Sequence, residues 1–437
     1  MGLNALGIEL GSYVLVGGIF LLLLTGLPLA WVTGLVALIF TFGWFGGSAL
    51  PLVTSRIFGF ITEYSLVAIP MFILMAALLD RSGIARDLFK GMRILAGRLP
   101  GGVAVQTLIV AILMAAMSGV IGGEIVLLGI LALPQMLRLG YDRNLSIGVV
   151  VAGGSLGTMM PPSIVLIIYG LVASVSIADL FVAAVTPALL LLAFYVAYVL
   201  FICLRNPAMG PPMSEEELAE ESLGSALRSM AAPLFIVLVV LGSIYGGIAS
   251  ITEAAALGVS AVLLISLLRR ELNVKMLQAS LVHTLETCGM IIWIGIAAAV
   301  LVGVYNLMGG NRFVSSAILA IDAPPVVIIM VMMLILLVLG MFLDWIGIAL
   351  LTLPIFVPIV IQLGYDPIWF GILFAVNMQV SYLTPPFGPA AFYLKSVAPK
   401  DITLKHIYTA LLPFIALQLT VLAIILFFPP IATWAVR

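Results

Sequence analysis

Gly153-Gly154-Ser155-Leu156-Gly157-Thr158-Met159-Met160-Pro161-Pro162-Ser163 interrupts one long apolar run, and Asn377-Met378-Gln379-Val380-Ser381-Tyr382-Leu383-Thr384-Pro385-Pro386-Phe387-Gly388 interrupts another. Proline has no N–H to give a helix and pushes the residue before it out of helical angles. Two in a row therefore break each helix and free carbonyl oxygens. In surroundings this apolar, such carbonyls must face protein, water or a cation rather than lipid. A single Pro-Pro pair reads best as a kinked packing helix; two at one register read better as an ion site.

The register comes from self-comparison. Leu139-Gly140-Tyr141-Asp142 recurs as Leu363-Gly364-Tyr365-Asp366, an offset of 224 from Asp142 to Asp366. The same ungapped offset pairs Met117 with Met341, Gly123 with Gly347, Leu127 with Leu351 and Pro134 with Pro358. It also pairs Pro161-Pro162 with Pro385-Pro386, and Tyr169 with Tyr393. Charge separates the copies. Arg138 and Arg143 flank the first Leu-Gly-Tyr-Asp and no cation flanks the second, whereas Lys395, Lys400 and Lys405 follow only the second break. The copies thus face opposite sides of a membrane, the build of many secondary transporters, which place their sites near the midplane.

The surroundings of both breaks are a bilayer. The 437 residues are 64% hydrophobic and 8% charged, against about 25% charged in a soluble domain. Roughly 20 apolar residues make one crossing, and the apolar runs suffice for ten or more. The sequence opens without the positive segment of a cleavable signal peptide, since residues 1–11 hold Glu9 and no Lys or Arg. Fifteen of the eighteen Lys and Arg fall in five loops: 81–98, 138–143, 205–228, 269–275 and 395–405. The positive-inside tendency puts all five in the cytoplasm, leaving Arg56, Arg312 and Arg437 outside. Residues 178–204, 231–247, 252–268 and 276–307 then read as crossings. The segments 103–117 and 125–137 are short for full spans and read better as a re-entrant hairpin, with two spans as the alternative. Residues 206–230 carry Glu215, Glu216, Glu217, Glu220 and Glu221 and read as a solvated cytoplasmic linker.

The sequence therefore reads as an all-α, polytopic membrane protein with two inverted-topology repeats, each with a re-entrant hairpin and a Pro-broken helix. Its organisation is 1–56, N-terminal scaffold helices; 57–204, first repeat; 205–230, linker; and 231–437, second repeat with further scaffold helices. A net charge of −1 gives no sign of nucleic-acid binding. Cys203, Cys288, His283 and His406 are scattered, which leaves an intramembrane enzyme without a nucleophile and base and a metal centre without its cluster. An ATPase-driven permease leaves the mirrored breaks unexplained.

Hard cations take oxygen ligands, so the freed carbonyls with Ser155, Asn377, Ser381 and Thr384 suit Na⁺. Hairpin tips precede each break at Ser118-Gly119-Val120-Ile121-Gly122-Gly123-Glu124 and Gly340-Met341-Phe342-Leu343-Asp344-Trp345. Glu124 and Asp344 are acids at membrane depth, where an ionisable group is costly unless paired or hydrated. For each, a functional carboxylate and a helix cap both stand as readings. Glu253 reads as a first-turn acid behind an N-cap at Thr252.

Taken in order, Ala68-Ile69-Pro70-Met71-Phe72-Ile73-Leu74, Met117-Ser118-Gly119, Gly140-Tyr141-Asp142, residues 153–163, Thr252-Glu253-Ala254-Ala255-Ala256, residues 340–344 and residues 364–388 resemble the large membrane (permease) subunit of tripartite ATP-independent periplasmic (TRAP) transporters over nearly the whole chain. The resemblance implies an elevator-type transporter in a bacterial or archaeal inner membrane. It implies no cofactor beyond Na⁺ as coupling ion. It places Na⁺ at Ser118, Gly119, Gly153, Gly154 and Gly157, mainly through carbonyls, and again at Asp344, Asn377, Ser381 and Thr384. Ser155, Pro161, Pro162, Ser163, Pro385, Pro386 and Gly388 would line the substrate site between the breaks. The implied partners are a periplasmic substrate-binding protein, a small four-helix membrane subunit, expected here as a separate polypeptide, and a small organic anion. One departure is local: Val120 stands where many relatives carry a second Ser, and Glu124 follows soon after.

Overall fold

The computed structural model describes residues 2–92, 99–119, 122–213, 223–386 and 388–436. The acidic stretch of the linker, Glu215 to Glu221, lies outside the described residues. In chain order the helices are α1 (Gly7–Leu23), α2 (Leu29–Phe40), α3 (Leu50–Ile61), α4 (Ala68–Arg81), α5 (Ile84–Gly91), α6 (Gly102–Ser118), α7 (Gly123–Arg138), α8 (Arg143–Gly154), α9 (Ile164–Ala173) and α10 (Ile177–Arg205). The second half holds α11 (Leu223–Tyr245), α12 (Ile251–Leu268), α13 (Val274–Leu307), α14 (Gly310–Leu319), α15 (Pro325–Gly340), α16 (Trp345–Gln362), α17 (Pro367–Leu383), α18 (Pro389–Val397), α19 (Leu404–Phe427) and α20 (Pro430–Thr433). No strand occurs among the described residues, and eight helical segments among them are long and apolar enough to cross a bilayer.

The repeated Leu-Gly-Tyr-Asp is a helix stop joined to a helix start. Gly140 and Gly364 both sit at φ +81°, where L side chains are disfavoured. Tyr141 N–H then reaches back to Met136 O at 3.0 Å, and Tyr365 N–H to Val360 O at 3.1 Å, closing α7 and α16 alike. One residue on, Asp142 accepts from Leu145 N at 2.9 Å and Asp366 from Ile368 N at 2.8 Å, opening α8 and α17.

Offsetting by 224 residues carries α6, α7, α8, α9 and α10 onto α15, α16, α17, α18 and α19. It also carries α1 and α2 onto α11 and α12, and the pair α3–α4 onto the 34-residue α13. The packing has the same exchange symmetry: α7 lies on α18 as α16 lies on α9, and α10 packs on α17 as α19 packs on α8. A pseudo-twofold axis therefore relates the halves.

The cationic loops gather at one end of the molecule. An Asp87–Arg269 ion pair joins the first loop to the fourth, and an Arg143–Asp401 pair joins the second to the fifth. Gly101 N donates to Gly210 O at 2.8 Å and Asp142 N to Met209 O at 2.9 Å, tying in the third. Arg56 packs instead on Gly303, near the far end of α13. Large apolar side chains such as Leu238, Leu264 and Leu285 are exposed on the flanks, where an acyl-chain solvent suits them.

The start of α12 differs from the sequence reading. Ser250, not Thr252, is the N-cap: its hydroxyl accepts from Glu253 N at 3.3 Å while Glu253 reaches back to Ser250 N at 2.7 Å. This reciprocal arrangement needs an acid three residues after the cap, and the spacing from Thr252 is one.

Candidate functional site

Helix α8 ends at Gly154, a short 3₁₀ turn covers Ser155–Thr158, and α9 resumes at Ile164. Ser163 caps α9 by accepting from Leu166 N at 3.4 Å, and its own hydroxyl donates to Thr158 O at 2.5 Å. In the mirrored segment α17 ends at Leu383 and α18 starts at Pro389. Both Pro-Pro bonds are cis. Phe387 lies outside the described residues.

Each hairpin tip presses on the break of its own repeat. At the first, Gly119 turns with φ +61° and lies so close to Pro162 O that a Cβ would overlap it. A Cβ on Gly154 would stand 2.9 Å from Ile125 N, and one on Gly157 2.9 Å from the Glu124 carboxylate. Bare glycine lets main chain meet main chain at Gly119 and Gly154 and admits the Glu124 carboxylate at Gly157. Ser118 Oγ donates to Glu124 Oε1, and both residues are buried. Ser118, Gly119, Gly154, Gly157, Pro162 and Ser163 thus converge. Gly153 packs instead on the hairpin arm, with a Cβ there 3.1 Å from Ala111 Cβ. Val120 and Ile121 lie outside the described residues.

At the second tip, Gly340 packs directly on Ser381. Gly340, Asp344, Ser381 and Tyr382 line a cavity with ≈ 10 Å³ open to the centre of a water-sized sphere, about the room one water or small ion needs. Asp344 is a helix cap, accepting from Ile346 N at 3.1 Å at the start of α16. Asn377 donates from Nδ2 to Met333 O at 3.0 Å, tying α17 to the hairpin arm, while its buried Oδ1 has no partner among the described residues. Ser381 Oγ donates to Asn377 O at 3.0 Å and Thr384 Oγ1 to Val380 O at 2.6 Å. Pro386 O accepts from Tyr408 at 3.4 Å, and Gly388, at φ +30°, packs on the same tyrosine.

Ser155 points into the protein between the two breaks. Its hydroxyl donates to Ala152 O at 2.7 Å and accepts from Gln379 Nε2 at 3.0 Å, across 224 residues. The two are repeat mates, so the pseudo-twofold axis runs through this bond. Tyr195 and Gln418 stand beside it, fully buried. Sequence reading gave no role to Gln379, Tyr195 or Gln418; adding the repeat offset to Ser155 would have singled out the first.

The sequence signature of the family described as tripartite ATP-independent periplasmic transporter, DctM component, matches residues 16–431. The chain belongs to that family. It is a TRAP large permease subunit, a transport protein of the inner membrane and not an enzyme. Over 422 residues this DctM-family chain is 31% identical to the isethionate TRAP transporter permease protein DctMQ of Oleidesulfovibrio alaskensis, covering 96% of itself and 65% of that relative. It is 29% identical over 440 residues to the C4-dicarboxylate TRAP transporter large permease protein DctM of Vibrio cholerae, covering 94% of each. Among solved structures, the MtrF transporter of Neisseria gonorrhoeae is similar with a TM-score of 0.60 at 14% identity, over 89% of this chain and 83% of that one. At that identity the likeness is one of fold.

Proposed function

We propose that this DctM-family chain imports a small organic anion by Na⁺ symport, receiving it from a periplasmic binding protein while a small four-helix membrane subunit braces the scaffold. The observation that carries the reading is a tip-on-break contact in each repeat, with a buried oxygen that has no partner among the described residues in the same segments: Glu124 Oε2 at the first tip and, one helical turn before Ser381, Asn377 Oδ1 in the second break. A buried polar atom without a partner is costly, and a bound cation relieves that cost. Filling both sites clamps each tip onto its break and completes the substrate surface between them. The body carrying both hairpins then moves as a unit against the scaffold, an elevator motion. Support for the solute class comes from two relatives, one named for isethionate and one for C4-dicarboxylates.

The test is reconstitution of the chain with the small subunit and the binding protein in liposomes. Uptake is expected under an inward Na⁺ gradient and not under K⁺ at equal ionic strength. Asn377→Ala and Ser381→Ala are expected to weaken the Na⁺ dependence while the protein still folds. Unchanged Na⁺ dependence in both would remove the second site. Uptake without the binding protein would favour a stand-alone carrier.

A further inference from the structure

Glu124, Glu253 and Asp344 are among the acids that stand at or next to helix starts. Two of these three are engaged by backbone N–H groups at their own helix start, since Glu253 accepts from Ser250 N and the N-cap Asp344 from Ile346 N. Glu124 is different. Its one hydrogen-bond partner among the described residues is the Ser118 hydroxyl, and its Oε2 is buried with none. The residue is 1% exposed. Another acid, Asp80, reaches the adjoining Gly123, with its Oδ2 2.7 Å from where a side chain there would begin, while the cation after it in the chain, Arg81, donates to Ala77 O at 3.1 Å. Both Glu124 oxygens face Gly157, within 3.0 Å of where a side chain there would begin. The repeat mate of Glu124 is Ile348, so this carboxylate has no counterpart at the second break.

We infer that Glu124 is an anionic ligand of the cation held between the first tip and the first break. This rests on the Na⁺ reading above and deepens it: the two mirrored tips use their carboxylates differently. At the first, Glu124 is held by no backbone N–H among the described residues and is available to a cation. At the second, Asp344 lines the cavity while accepting a backbone N–H at the start of α16, beside the oxygens of Asn377, Ser381 and Thr384. An unfilled first site leaves a bare carboxylate buried, the most costly kind of unpaired group. Filling it therefore matters to the stability of the chain as well as to transport.

The experiment is thermal unfolding of the purified full-length chain, titrated with NaCl against KCl at constant ionic strength. For the wild type, Na⁺ is expected to raise the midpoint. Glu124→Gln keeps the shape and removes the charge. It is expected to unfold at or above the wild-type midpoint without Na⁺ and to need at least tenfold more Na⁺ for half its rise. In an Asn377→Ala background, where the first site remains, Glu124→Gln is expected to abolish the Na⁺ response, and Glu124→Asp to retain part of it. A capping or dipole role predicts the reverse, a lower Na⁺-free midpoint with a wild-type Na⁺ response, and that result overturns the inference, as does an unaltered titration. A wild type indifferent to Na⁺ overturns the symport reading itself, and this inference with it.

Discussion

Removing the hydrogen bond on the pseudo-twofold axis should have unequal effects from its two ends. Ser155→Ala takes away the acceptor of Gln379 Nε2 and the donor to Ala152 O in one step. It leaves an amide N–H buried with no partner, a loss of about 1–3 kcal/mol. Gln379→Leu removes one bond, spares the Ser155–Ala152 contact and eliminates the already unpartnered Gln379 Oε1. Its cost should stay under about 1 kcal/mol, because an orphaned polar atom leaves with the bond. Between membrane helices such bonds couple by about 0.6 kcal/mol on average and up to about 1.7. The double variant should therefore be less destabilised than the sum of the singles by an amount in that range. Equilibrium unfolding of the four proteins in one detergent measures all three terms. Equal single costs with strict additivity would refute the assignment of this bond as the direct link between the breaks.

At the first tip, Gly119→Ala adds a Cβ in left-handed backbone, costing about 1–2 kcal/mol, and drives it into Pro162 O. Na⁺-dependent uptake should fall at least tenfold, while Gly26→Ala, at φ +80° with open space around it, should bear the backbone cost alone and transport normally. Comparable uptake by the two would show that tip and break need not touch. Ser250→Ala should lower stability by about 1 kcal/mol through loss of the α12 cap, with uptake per folded molecule unchanged. Thr252→Ala should be close to neutral in the same unfolding assay, and a larger loss there would restore Thr252 as the cap.

How much of this was legible in the sequence depends on the range of the interaction that decides each feature. The repeat, the breaks and the hairpin tips are written locally. Two prolines end a helix wherever they stand, and Leu-Gly-Tyr-Asp closes one helix and opens the next through bonds no longer than five residues. The clustering of the cationic loops was legible too, because the bilayer sorts Lys and Arg along the chain before any packing occurs. The cap of α12 was misread by two residues, since Thr252 and Ser250 differ only in which can exchange bonds with Glu253.

The sequence by itself determined that this chain is helical, spans a membrane and is built twice over, because composition, proline chemistry and a fixed offset act through neighbours in the chain. Tertiary structure alone decided which oxygens remain unpaired. Asp344 and Glu124 are the same kind of residue in the same kind of tip, yet one accepts a backbone N–H and the other turns inward against Gly157. That difference lies in the direction of a side chain within a packed interior, where partners come from segments distant in sequence and the cost of lacking one is set by burial.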